Sequence, residues 1–307
     1  MNRKQLLFSA LSLISVAVIV IYLFWGAPGQ HILLTIRLPR LLLACLTGMV
    51  LAGVGYVYQI MLNNPLAEPY ILGVSSGAAF GSILAGILGL YLLIPVFSFS
   101  GAIVTTSLVW ALAHLGGYFN RIKLILSGII IGLFFSALIS LLMYFNQKNI
   151  GTIINVLMGN LGYIFNYNEW KMFIALFFLS LGLMGYMYYL INQLLILTTG
   201  DLVAASLGLD VKRLRRRIFI TASLLTGATV AYAGVIGFIG LIIPHLTRMI
   251  QGGNNRFTYV YAVWMGAIFI LLCDLIAMNI AVVEIPVGIV TAFIGCPFFI
   301  FVMLRSK

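Results

Sequence analysis

The chain has 307 residues, of which 63% are hydrophobic and 7% charged, with a mean hydropathy of +1.16 and a net charge of +11. Soluble domains are about half apolar with about a quarter of their residues charged, so too few polar side chains are present here to cover a water-facing surface. Secreted scaffolds, cytosolic enzymes, disordered chains and nucleic-acid binders are excluded, and at ~20 residues per span the length accommodates about ten membrane helices with short loops.

In chain order, Arg3 and Lys4 precede an apolar run over 6–25. That run is longer than a signal-peptide core and no Ala-x-Ala site follows, which predicts a retained first span. Hydropathy and breaks predict further spans near 41–60, 70–90, 97–115, 124–145, 170–190, 217–234, 236–250, 259–280 and 286–304. The Gly- and Pro-rich stretch from Ala233 to Pro244 leaves the seventh and eighth least defined. This arrangement divides the 17 Lys and Arg unevenly. Arg3, Lys4, Arg121, Lys123, Lys212, Arg213, Arg215, Arg216, Arg217, Arg248, Arg256, Arg305 and Lys307 fall on the side of the N-terminus. Arg37, Arg40, Lys148 and Lys171 fall on the other. Positive residues stay inside, so both termini are expected in the cytoplasm.

Gly73, Gly77 and Gly81 recur every four residues, as do Gly128 and Gly132, the spacing that lets membrane helices approach closely. Cys45, Cys273 and Cys296 stand singly in apolar runs, and His31, His114 and His245 show no metal-ligand spacing, so neither a disulfide framework nor a metal site is expected. An internal repeat is more informative. Arg37-Leu38-Pro39-Arg40, Leu46-Thr47-Gly48 and Ala52-Gly53-Val54 are echoed by Arg213-Leu214-Arg215-Arg216, Leu225-Thr226-Gly227 and Ala233-Gly234-Val235. Five spans separate the copies, so they face opposite ways. Inverted repeats, here roughly 37–145 and 213–304 within one transmembrane domain over 1–307, are a recurrent transporter architecture; chance similarity of apolar sequence is the alternative.

The loop from Thr198 to Gly208 predicts a short helix, with Asp201 as its N-cap and Gly208 as the left-handed residue that stops it. Leu202, Val203, Ala204, Ala205 and Leu207 form an apolar surface between them. Such a surface on a loop suits a protein partner or a helix lying flat on lipid. Asp274 is the carboxylate placed nearest the interior of a span. Intramembrane acids are functional candidates, read here as a structural hydrogen-bonding group near the outer interface or as a proton-coupling group. Glu68 and Glu284 flank prolines at span ends and suit helix N-termini or loop backbone, and His245 follows Pro244 as a structural residue. No Gly-x-x-x-x-Gly-Lys-Ser/Thr phosphate loop occurs, so ATP hydrolysis is not expected of this chain, and convergent nucleophiles and bases of an intramembrane enzyme are not evident.

The stretch Asn64-Pro65-Leu66-Ala67-Glu68-Pro69-Tyr70-Ile71-Leu72-Gly73-Val74-Ser75-Ser76-Gly77-Ala78 closely resembles the signature of the FecCD family, the permease subunits of ABC importers for iron-siderophores, haem and cobalamin. Arg37-Leu-Pro-Arg40, Gly237-Phe-Ile-Gly240-Leu-Ile-Ile-Pro244-His245 and Glu284-Ile-Pro286-Val-Gly288 through Gly295 are similar to that family as well. The resemblance implies an all-α, ten-helix protomer of the type II ABC importer permease architecture in a bacterial cytoplasmic (inner) membrane. It implies a homodimer with the pathway on the two-fold axis, two separate ATPase subunits that bind ATP and Mg, and one extracytoplasmic substrate-binding protein. Residues Asp201, Leu202, Ala204, Ala205, Leu207 and Gly208 then resemble the coupling helix, Arg37 and Arg40 the docking arginines for the binding protein, and Ser127 and Gly128 the pathway lining. Snorkelling to lipid headgroups is the other reading of Arg37 and Arg40. One departure stands out: where the family often has Asp-x-x-Ala-Arg, this chain reads Asp274-Leu-Ile-Ala277-Met278, which removes a third positive contact. A proton-coupled secondary transporter with inverted repeats, driven through Asp274, is the alternative function.

Overall fold

The computed structural model describes residues 3–25, 29–114 and 120–305. Lys307 and the side chains of Arg3, Lys4 and Arg305, used in the charge assignment, lie outside the described residues. Among the described residues every regular element is helical. In chain order these are α1 (Arg3–Phe24), α2 (Gln30–Ile32), a π-helical turn (Leu33–Arg37), α3 (Leu38–Leu62), α4 (Val74–Ile87), α5 (Ile94–Ala113) and α6 (Arg121–Phe145). There follow α7 (Ile150–Met158), α8 (Tyr167–Ile196), α9 (Asp201–Ser206), α10 (Val211–Ala233), α11 (Ile239–Gln251), α12 (Arg256–Asn279) and α13 (Val287–Arg305).

Each of the ten stretches expected to span coincides with one of α1, α3 to α6, α8 and α10 to α13. Their lengths are uneven. Five stretches (Gln30–Leu62, Tyr91–Ala113, Arg121–Phe145, Tyr167–Thr199 and Arg256–Asn279) are long and apolar enough to cross a membrane, while Phe8–Phe24, Val74–Ile87 and Val287–Val302 are shorter apolar helices. α10 opens with five basic residues, and α11 has only 13 residues. Helix starts are fixed by side-chain caps. Asn120 Oδ1 accepts from the N–H groups of Ile122 (2.9 Å) and Lys123 (3.1 Å) at the head of α6. Asn166 and Glu169 form a reciprocal capping box on α8, and Asn255 Oδ1 accepts from Thr258 N–H at 2.9 Å on α12. Each cap satisfies backbone donors that the first turn leaves without partners.

α3 is the axis of the bundle. It is buried along almost its whole length and packs against α12, α11, α10 and α8. α10 is likewise buried along most of its length and packs on α5, α3 and α4. The helices that follow α3 and α10 are short, and both open on a residue with left-handed backbone: Gly73 (φ 73°) before α4 and Phe238 (φ 69°) before α11.

Close approach of α3 and α12 is possible because two glycines face each other. A Cβ on Gly48 would run into the backbone of Gly266, and one on Gly266 into that of Gly48. Apolar attraction between helices is weak where the solvent is itself apolar, so backbone proximity supplies the packing. We therefore expect Gly48→Leu to destabilise the protein by about 3 kcal/mol or more through overpacking, read as a lowered melting temperature in detergent. Gly182→Ala, where a Cβ meets nothing within 4 Å, should be neutral or stabilising.

Candidate functional site

α9 projects from the bundle between two glycines. Gly200 (φ 109°) precedes it and Gly208 (φ 84°) follows. The expected stop is found: Gly208 N–H donates to Ala205 O (2.9 Å) and Leu209 N–H to Ala204 O (3.1 Å), the paired bonds of a Schellman ending. The expected N-cap is not. Gly200 occupies that position, and Asp201 is the first helical residue with no side-chain capping bond. Its carboxylate turns to two arginines instead. Arg215 Nη1 donates to Oδ2 at 2.8 Å and Nη2 to Oδ1 at 2.6 Å, while Arg121 Nη2 donates to Oδ1 at 3.1 Å. The Arg215 hydrogen bonds are the main reason the Asp201 carboxyl is held below its ordinary value, since a bidentate guanidinium favours the charged form. Ala204 is fully buried against the bundle, whereas Leu202 is 88% and Leu207 67% exposed. Val203 and Ala205 are exposed beside them.

The signature stretch forms the turn between α3 and α4. Asn63 adopts left-handed backbone at the end of α3, Asn64 Oδ1 accepts from Leu66 N–H at 2.9 Å, and Pro65 sits inside this Asx turn. Glu68 is buried against Gly240 of α11, where an added Cβ would lie 3.3 Å from Glu68 Cβ and 3.4 Å from its Oε2. Gly73 then meets α6: a Cβ on it would lie 2.6 Å from Gly128 O, and one on Gly128 2.7 Å from Leu72 Cα. Gly77, on α4, makes a comparable approach to Gly101 of α5. Ser127 and Gly128 are therefore packed inside the chain, not displayed on a free face. The exposed side of α6 carries Ile122, Leu126, Ile130 and Leu133 instead.

At the end of the bundle away from α9, a charged cluster joins four segments. Arg40 is 5% exposed. Its Nε and Nη2 each donate to Asp274 at 2.9 Å, and Nη1 donates to Glu284 Oε2 at 2.8 Å. Tyr22 of α1 also donates to Asp274. Arg37 Nη1 donates to the carbonyls of Tyr22 (3.1 Å) and Leu23 (3.2 Å) at the C-terminus of α1, a favourable place for a cation. The reading of Arg40 as an exposed docking guanidinium is thus corrected: a buried arginine beside a buried carboxylate is committed to it. Arg37 is half-buried. Asp274 takes the structural role that its position allowed, and Met278 packs on the apolar core.

Between α4, α7 and the last turn of α10, towards this same end, lies a cavity of about 420 Å³. Its lining includes Ser82, Asn149, Thr152, Asn155, Asn160 and three tyrosines, and among the described residues no charged side chain contributes. The sequence alone did not single out these residues, because asparagines scattered over a loop and a nine-residue helix carry no spacing signal.

Removing one partner of a buried ion pair leaves the other uncompensated, at about 3–5 kcal/mol. Asp274→Asn and Arg40→Met should each lower thermal stability by that order, and Arg40→Met combined with Asp274→Leu should recover most of it. Glu284, whose side chain is 54% exposed, should cost about 1 kcal/mol or less when changed to Gln. Melting curves in detergent read all four.

Comparison with known proteins gives one consistent result. Residues 5–305 match the FecCD transport family. A protein of Helicobacter pylori (strain J99) named "Probable iron chelatin transport system permease protein" is 36% identical over 277 residues, covering 90% of this chain and 83% of that one. The cobalamin import system permease of Halobacterium salinarum is 36% identical over 288 residues, covering 92% and 76%. A solved structure described as "An inward-facing conformation of a putative metal-chelate type ABC transporter" superposes with a TM-score of 0.88 at 33% identity, over 98% of this chain and 99% of that one. Fold, signature turn and sequence agree, and the chain belongs to the FecCD transport family.

Proposed function

We propose that this chain is the transmembrane permease subunit of an ATP-driven ABC importer for an iron chelate (a siderophore or haem) or cobalamin. The observation that carries the reading is α9: a short helix anchored by Asp201 and Ala204 with Leu202, Val203 and Leu207 turned outward. An apolar surface so displayed suits a hydrophobic cleft on a partner. In the family context that partner is a separate ATPase subunit, which binds ATP and Mg and hydrolyses the nucleotide; this chain breaks no bond in the substrate. Two such ATPases serve a homodimer of this chain, whose apolar α6 and α13 faces suit a two-fold contact. Both termini lie in the cytoplasm of a bacterial inner membrane, with α9 on the same side.

The opposite end then faces the extracytoplasmic substrate-binding protein. Of the two arginines expected to dock it, Arg37 retains partial exposure, and Arg40 acts by fixing Glu284 at the rim. A proton-driven cycle through Asp274 gains nothing from the geometry. Both carboxylate oxygens are held by Arg40, and Tyr22 adds a further bond.

Proteoliposomes containing this chain, its ATPase and its binding protein should take up one of ferrichrome, hemin or cyanocobalamin only with ATP supplied on the ATPase side. Vanadate should stop uptake and a protonophore should not. Leu202→Ala, Val203→Ala and Leu207→Ala combined should reduce uptake at least about tenfold, the loss of ~1.4 kcal/mol of contact, with an unchanged melting temperature. Uptake that persists without ATP and collapses with the protonophore would overturn the assignment.

A further inference from the structure

Two features of α9 have opposite mechanical consequences. Its backbone connections are loose: a Cβ at Gly200 or Gly208 would meet nothing within 4 Å, and both glycines have positive φ. Six helical residues hung between two such points tilt easily unless side chains hold them. Asp201 supplies that hold. Arg215, in α10, has a side chain only 2% exposed, so its guanidinium is fixed by its surroundings and its bidentate grip on Asp201 is rigid. The same Oδ1 also receives Arg121, the first residue of α6. The first turn of α6 is itself firm, because Asn120 caps two of its N–H groups.

We infer that Asp201 is a positioning residue that ties α9 to both α10 and α6, and that the Arg121 arm transmits displacement of α9 to α6. The inference rests on the importer reading for its purpose and on the ion triad for its existence. α6 is the natural recipient of such a displacement. It presents an apolar, largely exposed face, and at Gly128 it touches the signature turn that leads into α4. A shift at its first residue therefore reaches the segment joining α3 to α4. The two arms are separable. Arg215 satisfies both oxygens of Asp201 by itself, so loss of Arg121 leaves the buried cation paired and the fold intact, and removes only the link to α6. The Arg215 hydrogen bonds hold the Asp201 carboxyl below its ordinary value, so the charge that both arms need is present at neutral pH.

The test is Arg121→Gln compared with Arg121→Lys in the full complex. In proteoliposomes, ATP hydrolysis and uptake of whichever of ferrichrome, hemin or cyanocobalamin the wild type accepts are measured on the same vesicles. R121Q should keep ATP hydrolysis and lose uptake per ATP by on the order of tenfold, as expected when a coupling free energy of ordinary size is removed. R121K, which retains the charge, should recover most of the ratio. A bridge that merely stabilises the fold would lower hydrolysis and uptake together and leave their ratio unchanged, which overturns the inference. A second readout needs no transport. With Cys45, Cys273 and Cys296 replaced by Ser, spin labels at Ser140→Cys on α6 and Ser206→Cys on α9 report the distance between the helices. R121Q should broaden that distribution and R121K should not; identical distributions in R121Q and the unsubstituted background overturn the link. Should the wild type show no ATP-dependent uptake, the importer reading fails while the spin-label result still decides the triad.

Discussion

The structure depends on one constraint: within a bilayer, backbone amides and carbonyls have no water to bond with, so every break in a helix must be satisfied by the protein itself. This chain interrupts its helices over 63–73 and over 234–238, and Glu68 and Gly240 bring the two interruptions side by side. Glu68 from the first is buried against Gly240 just after the second, where an added Cβ would lie 3.3 Å from Glu68 Cβ and 3.4 Å from its Oε2. Gln59 Nε2 donates to Gly240 O at 2.8 Å, and Arg248 in turn donates to Gln59. Asn160 N–H donates to Ala233 O (2.9 Å) and Val235 N–H to Val156 O (2.8 Å), so the last turn of α7 and the segment just after it pair with the end of α10 and the residue beyond it. The acidic residue of the signature thus packs inside the chain against the head of α11, and the left-handed residues Asn63 and Gly73 bracket the first interruption.

The same constraint accounts for what the sequence disclosed and what it withheld. Apolar runs must be helical in lipid, so the ten stretches were legible and each coincides with a helix. Their true lengths were not, because α4 and α11 start only after interruptions that run through apolar sequence, Ile71-Leu72 before α4 and Val235-Ile236 before α11, and hydropathy does not distinguish apolar loop from apolar helix. Gly208 was readable as a helix stop because only glycine adopts that backbone at no steric cost. Asp201 was misread as a cap because its real partners, Arg121 and Arg215, lie 80 and 14 residues away, and a local rule sees only neighbours. Arg40 failed for a related reason: its partners are 234 and 244 residues distant. Ser127 and Gly128 point into the chain because Gly128 is the contact point for Leu72, which the glycine spacing hinted at and the functional analogy obscured.

The two ion clusters then divide the molecule mechanically. Arg40, Asp274, Tyr22 and Glu284 join α1, α3, α12 and the segment before α13, with Asp274 and Arg40 nearly dry. Charges in such surroundings attract strongly and cannot be exchanged for water without a large penalty, so these helices form one body, tightened by the Gly48–Gly266 approach. Asp201, Arg121 and Arg215 are partly wet: the side chains of Asp201 and Arg121 are 42% and 32% exposed, and only Arg215 is buried. An ion pair open to solvent reorganises at little penalty. The cluster at α9 is therefore strong enough to define a position and weak enough to change it. If the chain works as the importer proposed above, alternation between two states needs a fixed axis and a hinged input; the buried charge suits the first and the half-exposed charge flanked by glycines the second.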